Sequence, residues 1–146
     1  MLSLIRSLRC PVVLVMVLAM CALLGSGGFA LAAEIQVNLT GSEEVPAVTT
    51  SASGSGTITV GDDRSLSGSV TTTGVVGTAA HIHIAAAGQN GPVVIPLTKT
   101  GDTTWAVPAG AKLTEQQYAA YTAGNLYVNV HSAARPGGEI RSQLKP

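Results

Sequence analysis

The chain has 146 residues, with eight basic and eight acidic side chains, no net charge, and only 11% charged residues. No basic run or stripe is present, which excludes nucleic acid as an expected partner. One Trp, three Tyr and one Phe in a background of Gly, Ser, Thr, Val and Ala suit short strands joined by tight turns.

The first segment reads as an export signal. Arg6 and Arg9 open it, an uncharged apolar stretch runs from Pro11 to Leu24, and Ala30-Leu31-Ala32 supplies a small-x-small cleavage motif. Cleavage is expected after Ala32 or Ala33, so residues 1–32 are the signal peptide. The apolar run is shorter than the ~20 residues of a spanning helix, which sets this reading above a retained anchor. A lipoprotein signal at Leu18-Ala19-Met20-Cys21 is opposed by the bulky Met20 before the cysteine. The expected location is secreted, periplasmic or at the cell surface, with no membrane contact after cleavage.

Removing the signal takes away both cysteines, all three methionines and two arginines. About 113 residues remain, the size of one domain, 34–146. They carry six basic and eight acidic side chains, a net charge of −2. No disulfide is available, so the core alone must hold the domain together.

In chain order, Glu34–Thr40 alternates, with Ile35, Val37 and Leu39 on one face, and predicts a half-buried strand. Residues 41–51 contain Pro46 and read as a loop. Gly54–Val60 and Leu66–Thr73 are Thr/Val/Ser strands, and Gly61-Asp62-Asp63-Arg64 between them predicts a hairpin. Ala79–Ala85 is a strand with Ile82 and Ile84 on one face and His81 and His83 on the other. Gly88-Gln89-Asn90-Gly91-Pro92 is a turn. Val93–Leu97 and Trp105–Val107 are short strands. Thr114 and Gln117 form a capping-box pair, and Gly124 stands at a C′ position, predicting one short helix over about 114–123. Leu126–Ser132 is a strand with Leu126, Val128 and Val130 inward and Tyr127, Asn129 and His131 on the opposite face. Pro136-Gly137-Gly138 turns the chain into a last strand, Glu139–Leu144. The fold class is all-β: a Greek-key-like antiparallel β-sandwich or barrel of seven or eight short strands with one helix.

The only histidines are His81, His83 and His131. His81 and His83, at i and i+2 of a strand, share a face with Cα atoms about 6.6 Å apart, so both imidazoles can reach one ion. If the strand of His131 is a neighbour, three neutral imidazoles converge on one metal, copper or zinc being the ions that suit such ligands. A fourth ligand would be water or an oxygen such as that of Asn129 or Gln89. The alternative is a polar strand face whose histidines only pin nearby loops. Other chemistry is sparse, and no catalytic residue is assigned. No GxSxG elbow is present, and Glu43-Glu44 reads as a solvated loop pair. Glu139 and Arg141 read as an exposed ion pair of small value. Arg135 reads as solvated, and Trp105 and Tyr127 as packing residues.

An ordered series of motifs extends this reading: Val37 through Pro46, His81-Ile82-His83, Gly88 through Val94, Leu113-Thr114, Gly124 through Ser132, and Pro136 through Leu144. It resembles the CHRD domain, the module named after chordin, which also occurs alone in secreted bacterial proteins. The departure is Ala85-Ala86-Ala87, where the family often has a Gly-Pro-containing segment. The resemblance implies an extracellular domain but no settled reaction, because the growth-factor contacts of chordin-like proteins are credited to other, cysteine-rich modules. A more distant likeness, in the order of three histidines, is to copper/zinc superoxide dismutases. It strengthens the copper reading, but the bridging histidine, zinc ligands and cysteines of that family have no counterparts here. The expected function is a secreted protein binding one copper (or zinc) ion. The alternatives are a non-catalytic module for an extracellular protein or matrix partner and, more remotely, a dismutase-like redox enzyme.

Overall fold

The computed structural model describes residues 32–146; the signal-peptide reading lies outside them. Nine strands and one helix follow in order: β1 (Ala33–Thr40), β2 (Ser53–Val60), β3 (Leu66–Thr73), β4 (Gly77–Ile84), β5 (Val93–Pro96), β6 (Thr98–Lys99), β7 (Thr104–Ala106), α1 (Glu115–Thr122), β8 (Leu126–Ser132) and β9 (Ile140–Leu144). All ladders are antiparallel, in the order β5-β4-β8-β9-β1-β2-β3-β7-β6.

The two ends of that order, β5 and β6, belong to one extended segment interrupted only at Leu97. The Leu97 amide donates to the Ala80 carbonyl at 2.9 Å, keeping the interruption against β4. One segment therefore pairs with β4 by its first half and with β7 by its second, and the sheet is nearly closed on itself as a barrel. Closure removes the free edges that an isolated sheet would expose. On the opposite side β9 meets β1 at a single paired position, Thr40 with Arg141. The barrel is thus two half-sheets, β5-β4-β8-β9 and β1-β2-β3-β7-β6, joined at thin seams. The chain crosses between the halves three times, from β3 to β4, through Leu97 from β5 to β6, and from β7 to β8. The ninth strand beyond the predicted seven or eight is Thr98–Lys99, two residues with no period of their own, paired only because closure brings β7 alongside.

The core is what two-residue alternation selects. Ile35, Val37 and Leu39 of β1, Ile58 and Val60 of β2, Ile82 of β4, Leu126, Val128 and Val130 of β8, and Ile140 and Leu144 of β9 are all buried in one cluster. The hairpin β2–β3 forms at Gly61–Arg64 as the turn residues require, with Val60 opposite Leu66. Helix α1 starts and stops as its sequence dictates. The Thr114 hydroxyl accepts from the Gln117 amide at 3.2 Å, and the Gln117 side chain accepts from the Thr114 amide at 2.9 Å. Gly124 at φ 73 then turns the chain so that its amide reaches the Tyr121 carbonyl and that of Asn125 reaches Ala120. The helix contributes Tyr121 to the core cluster.

Two adjacent strands of one half-sheet, β8 and β9, are buried on both faces. Every residue of β9, and every residue of β8 except His131, is buried. The face predicted to be polar and exposed is covered by the loops 41–50, 85–92 and 133–138. This covered outer layer holds the histidines.

Candidate metal centre

β4 and β8 are adjacent and antiparallel, so the condition for convergence is met. Their register sets His83 opposite Tyr127, His81 opposite Asn129, and Ala79 opposite His131. All five side chains of interest stand on the outer face because each strand alternates. His81 lies diagonal to His131, and their Nδ1 and Nε2 atoms are 3.0 Å apart. His83 completes the set: one ligand atom from each of the three imidazoles lies within 4.8 Å of the others.

Two of the remaining ring nitrogens, those of His83 and His131, have partners that orient the rings. His83 Nδ1 lies 2.9 Å from the Gly91 carbonyl and His131 Nδ1 lies 2.9 Å from the Pro136 carbonyl. A carbonyl can only accept, so in the neutral rings each Nδ1 carries the hydrogen and each Nε2 keeps a lone pair. This arrangement, with the non-ligating nitrogen tied to a carbonyl, is typical of metal-binding histidines. His83 Nε2 is buried and has no hydrogen-bond partner. Burial holds His81 below the usual histidine range, with the charges of His131 and His83 acting the same way. Burial does the same to His83, opposed by its bond to Gly91 and by Asn129. These two imidazoles are therefore neutral at neutral pH, the state in which imidazole binds a metal. The cluster is able to hold a metal ion.

Behind the histidines lies a polar layer. His83 stacks on Tyr127 with ring centroids 4.8 Å apart and planes 4° from parallel. The Arg141 guanidinium lies 3.4 Å from the Tyr127 ring centroid. Arg141 is 1% exposed and donates to the Gln89 carbonyl at 2.9 Å and to Gln143 Oε1 at 3.1 Å. Tyr127 is thus a packing residue, as expected, and also the platform on which His83 rests. The expected exposed pair of Glu139 and Arg141 does not form. Arg141 turns under the 85–92 loop, and Glu139 instead accepts from the Thr50 hydroxyl at 2.8 Å. Of the two amides considered as a fourth ligand, Asn129 is buried beside the cluster. Gln89 is exposed, and its main-chain carbonyl holds Arg141. Trp105 is buried in the core, and Arg135 is exposed.

The Glu43-Glu44 reading needs correction for its second member. Glu43 is exposed, but Glu44 is 5% exposed and packs beneath Gly138 beside Asn129. The loop folds inward because the Gly41 carbonyl accepts from the amides of both Glu44 and Val48. Alternation cannot find such a residue, since the loop has no period. Glu44 also lines a groove of about 410 Å³ whose rim includes Val45, Pro46, Asn90, Arg135 and Pro136. Burial raises the Glu44 carboxyl to about 7, against the opposing pull of Arg141, Asn129 and the Val45 main chain.

This sets a pH dependence. Between about pH 4.5 and 7 the folded protein holds a proton on Glu44 that the unfolded chain has released, so this contribution to stability is full below that window and is lost as pH rises through it. His81 and His83 give the opposite slope, because the unfolded chain protonates them more readily. Comparison with Glu44→Gln isolates the carboxyl. Urea midpoints measured from about pH 5 to 8 should shift in favour of the variant as pH rises. A constant gap across that range would remove Glu44 as the cause.

The family model of the CHRD domain matches residues 35–144. No curated protein and no solved structure matches the chain.

Proposed function

The chain belongs to the CHRD-domain family, and on that footing we propose that it is an exported protein that holds one copper ion, with zinc as the alternative, through His81 Nδ1, His83 Nε2 and His131 Nε2. The observation that carries this reading is the buried, partnerless His83 Nε2 beside two other imidazole nitrogens. A histidine kept only to pin a loop needs its Gly91 bond and nothing on the other nitrogen. Here the other nitrogen faces a cluster instead of solvent.

The dimensions call for a small contraction. Bonds of about 2.0–2.1 Å allow ligand atoms on one ion to stand at most about 4.2 Å apart, so a set that lies within 4.8 Å closes by rotation of the rings when the ion binds. Imidazole suits copper and zinc alike, and no thiolate or thioether follows the export signal to favour a softer ion. Export, read from the basic, apolar and small-x-small pattern of residues 1–32, would bring the cluster to extracytoplasmic copper. When bound, copper would supply a redox couple and zinc a Lewis acid. The three side chains orient and retain the ion.

The test is copper(II) titration of the purified protein beside a His81→Ala/His83→Ala variant. Stoichiometric binding by the wild type and its loss in the variant are expected. Equal, weak binding by both would end this reading. It would leave the protein as a non-catalytic module for an extracellular partner, for which the groove beside Glu44 offers a surface.

A further inference from the structure

We propose that the side-chain carbonyl of Asn129 is a fourth donor to the ion, presented to it by the Glu44 carboxyl behind the amide. The inference rests on the three-histidine reading and adds a ligand of a different kind.

Asn129 stands on the histidine face of β8, two residues before His131 and directly opposite His81. It is 1% exposed, and its Oδ1 is buried without a hydrogen-bond donor. The sense of the amide follows from its other neighbour. Asn129 Nδ2 and Glu44 Oε1 both crowd the place where a Cβ would stand on Gly138, at 2.7 and 2.5 Å from it. Glycine at φ 132 leaves that place empty, so the two groups border it from either side. An ionised Glu44 selects the NH₂ end of the amide, because only that end donates. Oδ1 is then turned away from Glu44, toward the imidazoles.

Two buried atoms on the histidine face, His83 Nε2 and Asn129 Oδ1, thus have no hydrogen-bond partner. Each buried polar atom left unpaired costs on the order of 1–3 kcal/mol. A cation relieves both atoms at once. It would also take the place of the hydrogen bond between His81 Nδ1 and His131 Nε2, 3.0 Å apart beside them. Three nitrogens and one neutral oxygen make a four-coordinate site suited to copper(II) or zinc. Such a site leaves less room for an exogenous ligand than three histidines and a water.

The experiment compares wild type, Asn129→Ala and Asn129→Asp in copper(II) titrations, followed by azide addition to each copper form. Asn129→Ala should bind copper about 10- to 100-fold more weakly. Its copper form should develop an azide-to-copper charge-transfer band at azide concentrations that leave the wild type unchanged. Asn129→Asp keeps an oxygen at the same place, adds charge, and should bind more tightly than wild type. Equal copper affinity and equal azide response in wild type and Asn129→Ala would overturn the proposal and leave the three-histidine site standing. If Asn129→Ala does not fold, unchanged affinity in Asn129→Asp overturns it in the same way. Wild type binding no better than the His81→Ala/His83→Ala protein removes both readings together.

Discussion

Saturation with copper(II) is expected to raise the unfolding temperature of the purified protein by about 10 °C, and His83→Ala is expected to abolish the rise. An ion that binds only the folded state stabilises it by about 2.7 kcal/mol at a free concentration 100 times its dissociation constant. For a domain of this size each kcal/mol moves the midpoint by roughly 4 °C. The folded state offers three convergent imidazoles, whereas the unfolded chain offers scattered ones, so the linkage favours the fold. His83→Ala also leaves the Gly91 carbonyl without its ring partner. The quantity to compare is therefore the copper-induced shift within each protein, not the baseline midpoint. A chelator should reverse the wild-type shift. Acid should erase it as the imidazoles take up protons, and the lowered values of His81 and His83 delay that loss to below their usual range. A shift of the same size in His83→Ala would place the ion elsewhere on the molecule.

The core strands were legible in the sequence because burial on one face forces a period of two. Ile35, Val37 and Leu39, or Leu126, Val128 and Val130, announce both the strand and the face it buries. The same periodicity put His81, His83 and Asn129 with His131 on outward faces, and the adjacency of β4 and β8 made those faces one. Helix α1 was legible from its ends, since Thr114, Gln117 and Gly124 each satisfy a specific main-chain group. What alternation cannot express is what lies over a face. Arg141 reads as exposed because strands with one solvated side carry charges there. Here the 85–92 loop covers it, and the Gln89 carbonyl receives its guanidinium. Glu44 was missed for a related reason: its burial is set by a loop carbonyl accepting two amides, not by a repeat. The barrel's closure through Leu97 was likewise invisible, because it depends on two distant strands, β4 and β7, arriving on either side of one segment.

Arg141→Ala should be the most disruptive single substitution in the polar layer, costing about 3–5 kcal/mol, since each of its two hydrogen bonds from a charged donor is worth about 1.5–3 kcal/mol. The guanidinium spans three jobs at once. It donates to the Gln89 carbonyl and to Gln143, and it covers the face of Tyr127 opposite His83. Truncation leaves Gln143 Oε1 without its donor in a buried place and releases the Gln89 carbonyl, and Glu44 loses the positive charge that restrains its rise. Against a total stability of about 5–15 kcal/mol for a domain, that loss is large but survivable. Arg141→Lys should recover only part of it, since an ammonium restores charge but not a planar group that stacks and forks between two acceptors. The damage should also reach the metal site. Arg141 anchors the 85–92 loop at Gln89, and the same loop supplies the Gly91 carbonyl that holds His83 Nδ1. Urea unfolding at about pH 7 should therefore rank wild type above Arg141→Lys above Arg141→Ala. Copper affinity, measured on protein that is still folded, should fall in the same order. If Arg141→Ala lies within about 0.5 kcal/mol of wild type, the size of an ordinary surface change, the guanidinium supports neither the loop nor the stack.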